Sequence, residues 1–159
     1  MRKGPTKIRK IEPDIVYQSI TVAKLINYIM KAGKKQVATR QVYRTLESLM
    51  KNKEKKDPVV ILEEALNNIK PRVEVRPRRI GGAVYQVPTP LRTHRQNSLS
   101  LRWLVNSARM RPNSQYHTFS EKLTAEILEA QKNQGPAIAK RLEAEKMAEA
   151  NRAFSHLRW

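Results

Sequence analysis

Apolar residues recur at helical spacing along most of the chain and predict six helices. In the first, Ser19 to Met30, apolar residues at 20, 23, 26 and 30 share one face. Ser19 suits the N-cap, because a serine hydroxyl accepts hydrogen bonds from first-turn amides. Gly33 is predicted to end the helix, because glycine readily adopts the left-handed backbone conformation. The other five helices are predicted at about 35–50, 58–70, 91–111, 114–133 and 137–152.

The period changes to two after the third helix. Residues 72–76 alternate arginine or glutamate with valine, residues 83–87 form a second β-prone segment, and Gly81-Gly82 lies between them. Pro77 and Pro88 have no amide hydrogen, so they are predicted at strand ends or bulges. The sequence therefore predicts an all-α fold, a six-helix single domain with a protruding β-hairpin at about 72–88, between helices three and four.

Two segments flank this predicted domain, which spans residues 19–152. Residues 1–18 are predicted as a basic N-terminal arm and residues 153–159 as a C-terminal tail. The charged segment 51–56 is predicted as a loop, followed by Asp57 as a helix cap with Pro58 at the first helical position. No apolar stretch approaches the ~18 residues that a membrane span needs. The basic N-terminus is not expected to be a signal peptide.

Positive charge is concentrated in two segments. The chain has 32 lysines and arginines against 14 acidic residues, a formal charge of +18. Residues 1–12 hold five basic residues and one acidic, and residues 70–95 hold seven basic and one acidic. Because so large an excess repels itself unless a polyanion neutralises it, the expected partner is nucleic acid. Arginine dominates the central segment, and its planar guanidinium suits phosphate contacts.

No catalytic constellation is found in the sequence. Cysteine is absent, which excludes disulfides, thiolate zinc sites and cysteine catalysis. The two aspartates are far apart, and the three histidines lack metal-ligand spacing. His94 lies among arginines and is expected to be an exposed polar residue or a phosphate contact. The chain is predicted not to be an enzyme and to need no cofactor, metal or small-molecule substrate.

Several ordered motifs resemble those of one protein family. They are KPRVEV at 70–75, RRIGGAVYQVP at 78–88, SLRWLV at 100–105 and KMAEANRAF at 146–154, with MKAGKK at 30–35. Together they resemble the S-seven family of small-subunit ribosomal proteins, in its bacterial or organellar branch. The resemblance covers nearly the whole chain in the expected order.

This resemblance implies a six-helix domain with a protruding hairpin, and it implies a function. Family members are structural proteins of the small ribosomal subunit that bind its RNA early, through the 3′ major domain, and nucleate assembly of the head. They lie at the subunit interface near the decoding centre, messenger RNA and the exit-site tRNA. The eleventh and ninth small-subunit proteins are implied as neighbours, and a cytoplasmic ribosome as the location, with an organellar one not excluded.

The residues that match this role fall into two overlapping groups. Those expected to bind ribosomal RNA are Arg2, Lys3, Lys7, Arg9, Lys10, Lys34, Lys35, Arg72, Arg76, Arg78, Arg79, Arg92, Arg95, Arg102, Arg109 and Arg111. Those expected near tRNA and messenger RNA are Arg78, Arg79, Ile80, Gly81, Gly82, Arg141 and Lys146. Within the first group, residues 95, 102 and 109 repeat every seven positions and are predicted to form a basic ridge opposite the apolar face of helix four.

Three alternatives compete with the ribosomal hypothesis. A double-stranded DNA-binding protein would use helix four as its recognition helix. An RNA-processing enzyme would use His94 and the glutamates of the last helix. A membrane-surface protein is disfavoured because the apolar residues are already assigned to a core.

Overall fold

The computed structural model describes residue 4 and residues 10–52 and 57–158. Within these residues the chain forms six α-helices, a two-stranded antiparallel sheet between the third and fourth of them, and a final 3₁₀ helix. The predicted mainly helical fold with an inserted hairpin is therefore confirmed. In chain order the elements are α1 Ile20–Ile29, α2 Lys35–Asn52, α3 Pro58–Ile69, β1 Val73–Ile80, β2 Ala83–Pro90, α4 Thr93–Met110, α5 Phe119–Gln131, α6 Pro136–Ala150 and the 3₁₀ helix Arg152–Leu157.

Apolar faces of the helices meet in one core. Leu25 of α1, Leu46 of α2, Leu62 of α3, Leu104 of α4 and Ile127 of α5 are all fully buried. The beginning of α6 joins the same cluster. Burial of these side chains is the main stabilising contribution to the fold, at about 1.5–3 kcal/mol for each fully buried leucine or isoleucine.

Side-chain caps fix the beginnings of three helices. Ser19 Oγ accepts from Thr21 N at 3.2 Å, and Asp57 Oδ1 accepts from Val59 N at 2.9 Å, as predicted. Before α5, Thr118 and Glu121 form a reciprocal capping box. These caps stabilise amides that the helix itself leaves unpaired.

Several predicted helix ends were wrong by a few residues. Helix α5 begins at Phe119 rather than Ser114, because the Thr118 capping box sets its first turn. Helix α1 ends at Ile29, before Gly33 is reached, and the left-handed backbone that follows includes Ala32 as well as Gly33. Helix α2 continues to Asn52, two residues into the predicted loop, and residues 53–56 lie outside the described residues. Helices α4 and α6 both end earlier than predicted.

The hairpin turns through Gly81 and Gly82, whose φ angles are +57° and +90°. These values match a type I′ turn, which favours glycine because both central residues need positive φ.

The prediction that Pro77 and Pro88 lie at strand ends or bulges was wrong. Pro77 and Pro88 lie inside the strands, opposite Gln86 and Val75. In a two-residue hairpin the pair next to the turn is hydrogen-bonded, and the following pairs alternate. Counted from Ile80 and Ala83, both prolines fall at non-hydrogen-bonded positions, so neither costs the sheet a hydrogen bond.

The 3₁₀ helix packs on the hairpin. The rings of Tyr85, on β2, and Phe154 lie 5.4 Å apart at an interplanar angle of 57°. The division into arm, domain and tail stays a prediction, but residues 152–157 are ordered against β2 in this structure.

Candidate nucleic-acid interface

The described part of the chain shows no catalytic or metal-binding site. No group of three or more His, Asp or Glu residues there is arranged to hold a metal ion. Asp14 accepts from Tyr43 Oη at 3.0 Å and from two backbone amides, and Asp57 caps α3, so both aspartates have structural roles. Across residues 10–52 and 57–158, no helix is long and apolar enough to span a bilayer.

Glu74 holds two of the predicted RNA-binding arginines together. Its carboxylate contacts Arg76 of the same strand at 2.6 Å and Arg95 of α4 at 3.2 Å. The two arginine side chains are 54% and 45% exposed, while Glu74 is 16% exposed. Because exposed ion pairs contribute only about 0–1 kcal/mol, both arginines stay available to a phosphate. The hairpin stem and the beginning of α4 thus form one basic surface.

The predicted ridge on α4 is not uniform. Arg102 is exposed and finds no partner among the described residues, so its guanidinium is open to a nucleic-acid contact. Arg109 is half-buried and donates from Nη2 to the carbonyl of Ile29 at 2.9 Å, beside the end of α1. The three arginines of the ridge therefore differ: Arg95 is ion-paired, Arg102 has no partner in the described part of the chain, and Arg109 is bound to a neighbouring helix.

Arg111 lies inside the domain. Its side chain is only 10% exposed and lies 2.6 Å from the fully buried carboxylate of Glu126. It also pairs with Glu129 and donates to Tyr116 Oη at 3.3 Å. Burial alone would lower the pKa of the Arg111 guanidinium, but Glu129 and Glu126 together outweigh it and raise the pKa above the ordinary value. Its donors already bind carboxylates, so we leave it out of the interface proposed below.

At the hairpin, the described arginines project from both strand faces. Arg79 is exposed with no partner in the described chain, Arg78 is half-buried, and Arg72 is exposed at the base of β1. Gly81 and Gly82 at the tip are exposed, and a Cβ atom added to either would meet nothing within 4 Å. Another backbone can therefore approach the tip closely. Arg92, before α4, is also exposed.

A groove of about 630 Å³ separates the hairpin stem from α6 and the 3₁₀ helix. Arg72 and Arg141 line it, together with Arg152 and Arg158, which the sequence reasoning missed. Glu145 and Glu149 also line it, 3.9 Å from Arg141 and 3.3 Å from Arg152, so the charge of the groove is mixed. Arg141 donates to the carbonyl of Asn68 at 2.7 Å, so it also holds α6 against α3. Lys146 is exposed on α6 but does not line the groove.

The N-terminal basic residues are only partly described. Arg2, Lys3, Lys7 and Arg9 lie outside the described residues. Lys10 is exposed and lines a cavity with Lys35 of α2, while Lys34 is exposed in the turn before α2. Arg40 and Arg44 extend the face of Lys35 along α2 and were not predicted, although their spacing of four residues was a readable signal.

Comparison with known proteins agrees with this basic, helical architecture. The family model described as "Ribosomal protein S7p/S5e" matches residues 1–152. The chain is 51% identical over 158 residues to a protein of Caldicellulosiruptor bescii and 50% identical over 158 residues to one of Dictyoglomus thermophilum, with 99% of each chain covered. It is 46% identical over 159 residues to a protein of Thermosipho africanus, with both chains fully covered.

All three relatives are named "Small ribosomal subunit protein uS7". These matches confirm the family resemblance noted in the sequence. They also confirm the prediction that the chain is not an enzyme, because this is a family of structural ribosomal proteins. The chain belongs to the ribosomal protein S7p/S5e family.

Proposed function

We propose that this protein is a structural component of the small ribosomal subunit, that it binds the 3′ major domain of the subunit's RNA, and that this binding nucleates assembly of the head. The observation that carries the proposal is the set of exposed arginines on the hairpin and α4. Two of them, Arg79 and Arg102, have no acidic partner in the described chain, and Arg76 and Arg95 share the single carboxylate of Glu74. A formal charge of +18 supports a polyanionic partner.

Folded RNA suits this surface better than duplex DNA does. RNA helices are recognised through shape, phosphates and 2′-hydroxyls, because side chains cannot enter their deep major groove. The basic residues here lie on a hairpin, on α4 and on α2 rather than along one exposed recognition helix. Such a distribution fits several RNA segments that meet at one place. The bound protein would then stabilise the RNA fold that brings those segments together.

The hairpin tip and α6 are proposed to face the exit-site tRNA and messenger RNA. Support comes from the exposed glycine turn, which leaves room for an RNA backbone, and from Arg72 and Arg158 in the groove between hairpin and α6, which have no acidic partner in the described chain. Ile80 is half-buried beside the turn, and Lys146 is exposed on α6. The eleventh and ninth small-subunit proteins are included as neighbours on the basis of the family resemblance alone.

Filter binding to the isolated 3′ major domain, over a salt series, tests the proposal. The test variant is Arg79→Glu with Arg102→Glu. The matched control is Lys132→Glu with Lys140→Glu, which makes the same charge change at the exposed end of α5 and start of α6. If both arginines contact phosphates, the slope of log affinity against log salt should become shallower by about 1 for each arginine.

Arg109 is left out of the test variant because its reversal would also break the contact with Ile29. We expect the test variant to lose at least tenfold in affinity with unchanged helical content, and the control to lose much less. Equal losses of affinity in the test variant and the control variant would show that the binding is only general charge attraction. Tighter binding to duplex DNA than to the RNA at equal salt would overturn the proposal.

A further inference from the structure

A cavity of about 340 Å³ lies where α1 ends, α2 begins, α4 ends and α5 begins. Its volume falls in the range of roughly 300–1,000 Å³ that is typical of small-ligand sites. Ile29, Ala38 and Phe119 give it apolar walls, and the first two are buried. Val37 lies at its edge with 56% of its surface exposed. The cavity therefore offers partial burial to an apolar group that enters from solvent.

The remaining surface of this cavity is cationic. Lys31 and Lys34 are exposed at its edge, and Arg109 lines it while its guanidinium is held by the Ile29 carbonyl. No acidic side chain is among the residues that line it, all of which belong to the described chain. A ligand with both an apolar plane and a negative charge fits this combination. A nucleotide has both, because its base is planar and its phosphate is anionic.

Gln41 contributes a polar atom without a hydrogen-bond partner in the described chain. It lines the cavity, and its Oε1 atom is buried without a hydrogen-bond donor in the described part of the chain. This oxygen has almost no surface open to solvent, so a ligand N–H reaches it only when the Gln41 side chain turns into the cavity. A buried acceptor with no donor is costly, and a ligand that supplies an N–H group therefore favours that turn. The pairing edges of nucleobases carry such N–H groups, and in a duplex the opposite base already occupies them. The missing donor therefore favours an unpaired base.

We propose that this cavity binds one unpaired base of the RNA, with Phe119 against the base, Gln41 Oε1 accepting a base N–H, and Lys31 and Lys34 on the adjoining phosphates. The inference rests on the proposed RNA-binding function and names the chemical group that one part of the protein recognises. It differs from the arginine contacts described above, which involve phosphates alone and are indifferent to base pairing.

Two variants of the full chain and one control test this inference with the isolated 3′ major-domain RNA as the probe. Val37→Trp fills the cavity, and Gln41→Leu removes the acceptor at nearly constant size. Val60→Trp is the control, since Val60 on α3 is 45% exposed and does not line the cavity. Base protection is measured with dimethyl sulfate for adenine and cytosine and with a carbodiimide for uracil and guanine, alongside filter binding.

We expect the wild-type protein to protect an unpaired base that becomes reactive again with Val37→Trp and with Gln41→Leu. Affinity should fall about tenfold for each, as expected when a stacked base or a hydrogen bond is lost. Val60→Trp should leave the protection and the affinity unchanged. Circular dichroism shows whether each variant is folded, and if Val37→Trp fails to fold, the milder Gln41→Leu variant and the wild-type protection pattern decide the result.

Two results overturn the inference while the proposed function stands. The first is tight, specific wild-type binding without protection of any unpaired base. The second is protection and affinity that neither cavity variant changes. A wild-type protein that does not prefer the RNA over duplex DNA overturns the proposed function itself, and with it this inference.

Discussion

The buried pair between Arg111 and Glu126 provides the sharpest test of how the domain is held together. Arg111→Met keeps most of the side-chain volume but removes the guanidinium beside a carboxylate that is 0% exposed. Loss of one partner of a buried ion pair costs about 3–5 kcal/mol, because the other charge stays buried without compensation. Glu126 keeps a hydrogen bond from Ala137 N at 3.0 Å, so we expect the lower end, about 3 kcal/mol.

Urea unfolding of the purified chain, followed by circular dichroism, measures this loss. Arg152→Met is the control, because its pair with Glu149 is 79% and 74% exposed and should contribute less than about 1 kcal/mol. The double variant Arg111→Met with Glu126→Gln should recover about 1–2 kcal/mol, since a neutral amide no longer leaves a charge buried. A loss below about 1 kcal/mol in Arg111→Met, or no recovery in the double variant, would refute the reasoning.

Two further predictions concern backbone strain and pH. Gly135→Ala should destabilise the fold by about 1–3 kcal/mol, because φ is +95° and a Cβ would lie 2.9 Å from Glu129 Oε2; an unchanged urea midpoint would contradict this. Burial raises the pKa of Tyr43, and the hydrogen bond to Asp14 raises it further. The folded state therefore holds the phenol proton more tightly than the unfolded state does. The stability that this gives is present below about pH 10 and is lost as pH rises through the raised pKa. When the pH is raised above 10, the free energy of unfolding should therefore fall less for Tyr43→Phe than for the wild-type protein. Urea midpoints measured across alkaline pH test this, and an equal fall in both proteins would exclude Tyr43 as the cause.

Local signals predicted most of the fold. Ser19 and Asp57 were predicted as caps because a cap depends only on the residue and the next two or three amides. The hairpin was predicted because alternation and a Gly-Gly turn are adjacent in sequence. The late beginning of α5 was missed, although threonine followed three residues later by glutamate is a capping-box pattern that Thr118 and Glu121 display.

The roles of individual arginines could not be predicted in the same way. Arg111 meets Glu126, 15 residues away, only after α4 and α5 have packed, and Arg109 meets Ile29, 80 residues away, only after α1 joins them. Regular spacing along α4 shows that arginines share a face. It does not show which neighbouring helix covers part of that face.

The arginines of this protein therefore differ in how deeply their ion pairs are buried. Arg111 is bound to two carboxylates at 10% exposure, and a phosphate could replace them only by opening the domain. Arg95 and Arg76 also contact a carboxylate, that of Glu74, which is 16% exposed, but the two arginine side chains are themselves 45% and 54% exposed. An ion pair with so exposed a partner contributes at most about 1 kcal/mol. A phosphate can displace that carboxylate from either arginine without disturbing the core. Glu74 thus holds two arginines at the junction of hairpin and α4 in position while leaving both accessible for the RNA contact that we propose.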